Sequence, residues 1–538
     1  MSTITPETGA NILRHQLLEA HATPQVDLVS KQWIPIIDLT GNVRQVGVED
    51  LLLHAHEIKD LAEPDPIVRA ALRRFIQALA AQTVRLAGAN HTRWLGQAEN
   101  NSGFTECEVA ALIADQRKHL WLYHPEFPFL QDIRLIEALT NPEALSVDEL
   151  TAHLPGRNEA AWFVKFNDPL SGKGIEPAAA ARGLVARWFY HLPGNSSSVL
   201  TPPDGTNGAQ SGGAFSEGKA TITHAFRVSQ WSLATTLLRN LTADMVKKPA
   251  NESYAGPAWS HKNRSAISHD ALYLSTLTAS STLLTSMGVV GHIKLLVRGP
   301  IPQNKETVRQ AREGALQVDP HRIIIQSTKK NRKLDTRVIR KSPSTHPLCI
   351  LDSIHREALT TAQGHLRGII TDGDLWLTGA NGRHDETIEL FLADKQGNPA
   401  SPKWSEVRTV NLLAAHMDPE TSEFQFLIPI LTECFDNKNG IMDKLKWAIC
   451  DALNDNKPKD RSDATNRLVK IAQGRWLELA AAQIEYAAVN QAPTDKTNHA
   501  LYANAREVFQ EVLRPYGATT RYAASVVRAQ KHIWEKRS

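Results

Sequence analysis

Two adjacent His-Asp pairs, His269-Asp270 and His384-Asp385, and the acidic triplet Asp372-Gly373-Asp374 are the residues best able to do chemistry in this chain. A metal-dependent nuclease or hydrolase could use such pairs, but only with further His and Asp ligands on facing helices. Neither pair has that context, and with 21 histidines in the chain chance neighbours are expected. Asp372-Gly373-Asp374, set between Ile369-Ile370 and Leu375-Trp376-Leu377, reads as a hairpin turn. Ser171-Gly172-Lys173-Gly174 lacks the upstream glycine and the following hydroxyl of a phosphate loop. No nucleophile elbow or dinucleotide fingerprint is present. Cys107, Cys349, Cys434 and Cys450 lie far apart without metal-ligand spacing, so they read as core thiols. The expectation is a chain without catalysis, metal or cofactor. The alternative is a metal-dependent nuclease or hydrolase built on the His-Asp pairs.

Charge points elsewhere. The formal total is only +3, yet residues 182–341 hold 22 Lys+Arg against nine Asp+Glu, which leaves −10 for the rest. Lys329, Lys330, Arg332, Lys333, Arg337, Arg340 and Lys341 crowd together, opposed only by Asp335. Such a run suits a polyanion, because each cation that replaces a counterion on a phosphate releases it to solvent. Lys329, Lys330, Arg332 and Lys333 are therefore candidate contacts to a nucleic-acid backbone.

The elements that must position these residues can be read from periodicity. The chain has 538 residues and 42% apolar content, enough for several domains with large cores. No stretch approaches the roughly 18 apolar residues of a membrane span, and no signal segment opens the chain, so a soluble cytoplasmic protein is expected. Residues 1–25, with Ile12, Leu13, Leu17 and Leu18 at helical spacing, are expected to form a peripheral arm. Val26–Val29, Trp33–Ile37 and Val43–Val46 read as strands, the last two joined through Thr40-Gly41-Asn42. From Pro66 to Arg85, Val68, Leu72, Phe75, Ile76 and Leu79 mark a helix whose Arg69, Arg73, Arg74 and Gln77 face is expected at solvent. Residues 166–178 and 193–219, rich in Gly, Pro and Ser, read as long loops. Segments 441–454, 462–490, 496–514 and 518–536 are helix-prone. The expected fold is α+β: a large mixed N-terminal domain over 26–427, then an all-α C-terminal four-helix bundle over 428–538.

Several strings resemble a known family. Val26-Asp27-Leu28-Val29, Trp33-Ile34-Pro35-Ile36 and Ala55-His56-Glu57-Ile58 resemble the opening of the CasA family, the large subunit of the type I-E CRISPR surveillance complex, Cascade. Tyr123-His124-Pro125-Glu126-Phe127-Pro128-Phe129-Leu130-Gln131 is similar to that family's signature and is the most specific match. Phe163-Val164, Gly212-Gly213-Ala214-Phe215 and Asp319-Pro320-His321 follow in the family's order, and the resemblance extends to the terminal bundle.

The resemblance implies a non-catalytic subunit that reads the motif flanking a target, aids duplex opening and recruits a helicase-nuclease. Its implied partners are the other Cascade subunits, CRISPR guide RNA and double-stranded target DNA, with no membrane. Sequence would be read by RNA pairing, leaving the protein to read the flank and hold the backbone. The implied glycine loop is Gly212, Gly213, Ala214 and Phe215, with Ala214 where the family has a glycine. A minor groove about 6 Å wide admits backbone that carries no Cβ. The implied minor-groove cation lies before Asp319-Pro320-His321, where Lys305, Arg309 and Arg312 are the alternatives. The implied wedge hairpin spans Val407–Leu427 with its tip at Met417, Asp418, Pro419, Glu420 and Thr421, although no amide pair stands there. Lys165, Asn167 and Lys173 would face the guide RNA and a neighbouring subunit.

Overall fold

The computed structural model describes residues 6–88, most of 93–137, 175–190, most of 232–300, most of 422–534 and, between these, only the strand segments given below. The chain divides into two compact units. The first comprises Met1–Ile222, Gln230–Arg322 and Phe391–Val407; the second comprises Thr223–Ser229, Ile323–Leu390 and Arg408–Ser538.

The first unit opens with α1 (Pro6–Ala20), β1 (Gln25–Asp27), β2 (Ile34–Asp38), β3 (Val43–Val46), α2 (Val48–Leu53), β4 (Ile58–Leu61), α3 (Pro66–Leu86), α4 (Glu106–Gln116) and β5 (Trp121–Tyr123). After β6 (Leu145–Ser146) come α5 (Pro177–Tyr190), β7 (Gly194–Asn195), β8 (Ser211–Gly212) and β9 (Thr221–Ile222). Then follow α6 (Leu233–Arg239), α7 (Ala271–Thr276), β10 (Ser280–Leu284) and β11 (Leu295–Pro300). The β2–β3 hairpin forms as its turn residues predict. The Asp38 carboxylate accepts from the Thr40 and Asn42 backbone N–H groups, each at 2.9 Å, while Gly41 takes the left-handed conformation at φ +93°. Helix α4 starts on a reciprocal cap, in which Thr105 accepts from the Glu108 N–H and the Glu108 carboxylate accepts from that of Thr105.

Helix α3 has the predicted span, but its polar face is not at solvent. Arg74 and Gln77 are each only 3% exposed, because α5 and α6 pack against the helix as well as α4. Arg74 lies over the Phe189 ring at 5.5 Å, Arg73 pairs with Asp60 at 3.1 Å, and the Gln77 amide donates to the Leu237 carbonyl at 2.8 Å. Burial of these groups is tolerable because each finds a partner. At the far end of the helix Arg85 forms a buried fork on Asp270, at 2.8 and 2.7 Å.

The residues expected as a peripheral arm are docked. Leu13 and Leu17 of α1 are buried against Leu135, Ile136 and Leu283, while Ile12 and Leu18 of the expected stripe remain exposed. The stretch expected as a long loop over 193–219 contains a short ladder, in which β7 pairs antiparallel with β8. Lys165, Asn167, Lys173 and most of 166–178 lie outside the described residues.

In the second unit β12 (Ile324–Thr328) pairs antiparallel with β13 (Leu334–Val338). Further along the chain, strands β14 (Glu386–Asp394) and β15 (Lys403–Leu412) are neighbours in one sheet. The helical region comprises α8 (Ser422–Phe435), α9 (Ile441–Ala452), α10 (Asp463–Asn490), α11 (Thr494–Gly517), α12 (Ala523–Ala529) and α13 (Lys531–Trp534). The sequence predicts four helices over 428–538, which puts the domain boundary inside α8. That helix packs on α9, α10 and α11, so it belongs with the helical region. Trp476, Ile484, Phe509 and Ile533 are buried in it. Tyr502 joins three helices, accepting from Lys444 and donating to Glu433. Burial and the neighbouring Glu433 raise the Tyr502 pKa above its ordinary value.

Candidate nucleic-acid interface

The Tyr123–Gln131 signature is a brace. Phe129 is fully buried, edge-on to Trp33 at 5.7 Å and to Phe75 at 5.5 Å, in the centre of the first unit's core. His124 Nδ1 accepts from the backbone N–H groups of Glu126 and Phe127, each at 3.0 Å, which fixes the turn between the two halves of the motif. Leu130 adopts φ +52°, a cost that the surrounding core must hold in place. That kink aims Gln131 at two backbones. Its amide nitrogen donates to the Leu122 carbonyl at 2.6 Å, and its oxygen accepts from the Leu284 N–H at 2.7 Å.

Strand β10 and the residue after it receive further attachments. The Tyr123 hydroxyl donates to the Thr285 carbonyl at 2.9 Å, and His21 Nε2 lies 2.9 Å from the Leu284 carbonyl. The Asp132 N–H donates to the Thr282 carbonyl, the Asp132 carboxylate accepts from Ser281, and Arg187 donates to the Thr282 hydroxyl. Burial drives the His21 pKa down to about 4 and that of His119 to about 3, so both imidazoles are neutral at pH 7.

The brace leads to the glycine segment through one sheet. Strand β10 pairs with β11 over its whole length, from Ser280 opposite Pro300 to Leu284 opposite Leu296. The other edge of β11 takes β6, and β8 lies against β11. Within the β7–β8 ladder Gly194 stands directly opposite Gly212. Sequence reading singles out Gly212 but misses Gly194, whose only signal is membership of the same Gly-rich stretch. Gly213, Ala214 and Phe215 lie outside the described residues. The segment is anchored on both sides. Upstream, Arg182 of α5 pairs with Glu63 at 3.0 Å and donates to the Trp33 carbonyl. Downstream, the N-terminus of α6 donates from Ala234 N–H to the Ala55 carbonyl at 2.9 Å.

Basic residues divide by role. Arg182 and Arg187 count toward the excess of 182–341, yet both are bonded inside the unit, so that excess overstates the surface charge. Lys329, Lys330, Arg332 and Lys333 lie outside the described residues, but the flanking strands pair with Thr328 opposite Leu334. The run therefore connects two strands of a hairpin. Lys305, Arg309 and Arg312 also lie outside the described residues.

One expectation needs correction. A hairpin over Val407–Leu427 does not form: β15 lies beside β14, and Ser422–Leu427 belong to α8. Met417, Asp418, Pro419, Glu420 and Thr421 thus connect a strand to a helix and lie outside the described residues. The adjacent strands β14 and β15 instead flank residues 395–402, which include Gln396 and Asn398. A connection this short joins antiparallel strands, because a parallel crossover needs about a dozen residues or more. The His269-Asp270 pair, read from the sequence as lacking a metal site's context, is divided in its surroundings. His269 is exposed, whereas the Asp270 carboxylate is buried, held by Arg85 and the Gly256 N–H, and caps α7 through the Leu272 N–H. His384, Asp385 and Asp372-Gly373-Asp374 lie outside the described residues. Among the described residues, no group of three His, Cys, Asp or Glu side chains is placed to hold a metal, and no helix is long and apolar enough to cross a membrane.

Comparison with known proteins agrees with this architecture. The family model for CRISPR-associated protein Cse1 matches residues 27–346, more than half of the chain. The CRISPR-associated protein CasA/Cse1 of Thermus thermophilus is 29% identical over 163 residues, which is 30% of this chain and 31% of that relative. The matched stretch thus spans about a third of the curated relative's length. Among solved structures, Thermus thermophilus CasA (Cse1) superposes with a TM-score of 0.67 at 18% identity, covering 95% of this chain and 98% of its own. Cse1 from Acidimicrobium ferrooxidans gives a TM-score of 0.63 at 18% identity, with 95% and 97% covered. A chain of a CRISPR RNA-guided surveillance complex gives 0.66 at 18% identity, with 95% and 100% covered. At these identities the structural likeness speaks to the fold, and the match over residues 27–346 supplies the family: the chain belongs to the CRISPR-associated Cse1 family, also called CasA.

Proposed function

We propose that this chain is the motif-reading, non-catalytic large subunit of a type I-E surveillance ribonucleoprotein. It acts with guide RNA, sister subunits, double-stranded target DNA and a separate helicase-nuclease. The observation that carries the reading is the Gly194–Gly212 pair. Facing glycines give a strip of backbone without Cβ atoms, slender enough for a minor groove, at the start of Gly212-Gly213-Ala214-Phe215. One of Lys305, Arg309 and Arg312 supplies the groove cation, and Lys329, Lys330, Arg332 and Lys333 hold phosphates without reading sequence. Lys165, Asn167 and Lys173 meet the guide RNA and the neighbouring subunit. The duplex-opening wedge is assigned to residues 395–402, where Gln396 and Asn398 supply amides able to replace broken base-pair hydrogen bonds.

The test is to reconstitute the chain with guide RNA and sister subunits and to measure binding to duplexes that differ only beside the target. Gly213→Asp is expected to remove discrimination between flanks, because it places a side chain and a negative charge against the groove. Unchanged discrimination would defeat the groove assignment. Replacing both Gln396 and Asn398 by Ala is expected to slow opening of a closed duplex while sparing a target with a pre-melted bubble.

A further inference from the structure

We infer that Gln131 and Tyr123 are positioning residues for flank recognition, acting on the glycine segment through β10 and β11; this rests on the motif-reading role proposed above. Neither residue belongs to the glycine segment. Gln131 instead clamps two backbones, donating to Leu122 at 2.6 Å and accepting from Leu284 at 2.7 Å. The Tyr123 hydroxyl holds the next carbonyl along, that of Thr285, at 2.9 Å. Both bonds fall at the end of β10 where Leu284 pairs with Leu296 of β11.

That end of the sheet is the one nearest β6, since Leu296 and Leu295 pair in turn with Leu145 and Ser146. Strand β8, bearing Gly212, lies against β11. A shift of β10 along its own axis is therefore carried through its ladder to β11 and so to the strand that supports the glycine pair. The hydrogen bonds of a ladder fix one strand's register against the next, so β10 and β11 move together, and side-chain bonds to specific carbonyls and N–H groups fix the pair against the core. Gln131 does this at a point where the strand leaves the sheet, with an amide that satisfies a donor and an acceptor at once. Reading a groove requires placement to within about 0.5 Å, so the brace sets whether the backbone strip meets the groove.

The experiment uses the assembled ribonucleoprotein and two duplexes, one with the preferred flank and one with an altered flank, in parallel with Gly213→Asp. Gln131→Met keeps the side-chain length and removes both hydrogen bonds. It is expected to lower the ratio of the two affinities about tenfold, the scale of one buried hydrogen bond, while leaving affinity for the altered flank unchanged. Partial unfolding would instead lower both affinities together and leave the ratio intact. Should Gln131→Met not assemble, Tyr123→Phe, which deletes one hydroxyl and retains the ring, is read in the same way with a smaller drop. A ratio unmoved by these changes, alongside a ratio abolished by Gly213→Asp, overturns the positioning role and leaves the groove reading standing. A ratio that survives Gly213→Asp overturns both.

Discussion

Residues 121–133 and residues 194–212 share the first unit, yet they are held by different means. The first segment is tied down by its own side chains: Phe129 sits in an aromatic cluster, and His124, Gln131 and Asp132 bond to backbone groups. The second is held through main-chain pairing at Gly194 and Gly212, which have no side chains to anchor. In the proposed function the second segment enters a narrow groove and so cannot also carry bulky anchors. The anchoring is therefore delegated to a neighbour, whose residues are large, specific and easy to recognise. This explains why the tightest resemblance to the family falls on residues that touch no nucleic acid in the proposed function.

The sharpest way to break the comparison is to empty the core under the brace. Phe129→Ala is expected to cost about 3–5 kcal/mol of stability, as for other buried aromatic truncations. It would be read as a lower melting temperature of the isolated chain, with binding to every flank reduced alike. A stability cost below about 1 kcal/mol would show that the motif is not structural.

Acidification probes the same region more gently. In the unfolded chain His21 takes up a proton near pH 6.5, whereas burial holds it neutral in the folded chain down to about pH 4. The folded state thus loses stability as pH falls from about 6.5 to 4, by about 1.4 kcal/mol per pH unit for one such histidine. His119, lowered to about 3 by burial, adds to the loss in the same direction. Melting temperatures measured from pH 7 to about 4.5 should fall accordingly, and His21→Gln should flatten part of the slope. A flat profile in the unaltered chain would mean that these imidazoles are hydrated.

The smallest effect on stability is expected in the connection between β12 and β13. Replacing Lys329, Lys330, Arg332 and Lys333 by Ala should leave the melting temperature unchanged. Affinity of the assembled complex should drop equally for all flanks, and its dependence on salt should flatten by about 0.9 in log–log slope for each phosphate no longer neutralised. Selective weakening on one flank would move these cations from holding DNA to reading it.

Much of the scaffold was legible in the sequence. Asp38, Thr40 and Gly41 specify the β2–β3 turn because its chemistry is local, and the spacing of Val68, Leu72, Phe75, Ile76 and Leu79 specifies α3. The burial of Arg74 and Gln77 was not legible, since periodicity cannot reveal that α5 and α6 cover the polar side as well. Pro515 reads as a helix break, yet α11 continues to Gly517. Proline cannot donate to the Glu511 carbonyl one turn back, but Glu511 is exposed and its carbonyl can take water instead. Of the expected glycine loop only Gly212 falls among the described residues, and its strand pairing was not legible. That Gly194 faces Gly212, and that β15 turns back on β14 rather than forward, depend on strand partners that no local pattern specifies.

The attachment of His21 to Leu284 joins residues 263 apart along the chain. The first helix leaves the ribosome long before the strand it must clasp exists. At about 20 residues per second the interval is roughly 13 seconds, during which the apolar stripe of α1 can pack on Leu135 and Ile136 but lacks Leu283. Closing so large a loop also places this region among the slow folders, because distant contacts reward the chain only after their entropy has been spent. Shortening the chain from its front would cost β10 one of its attachments as well as a helix.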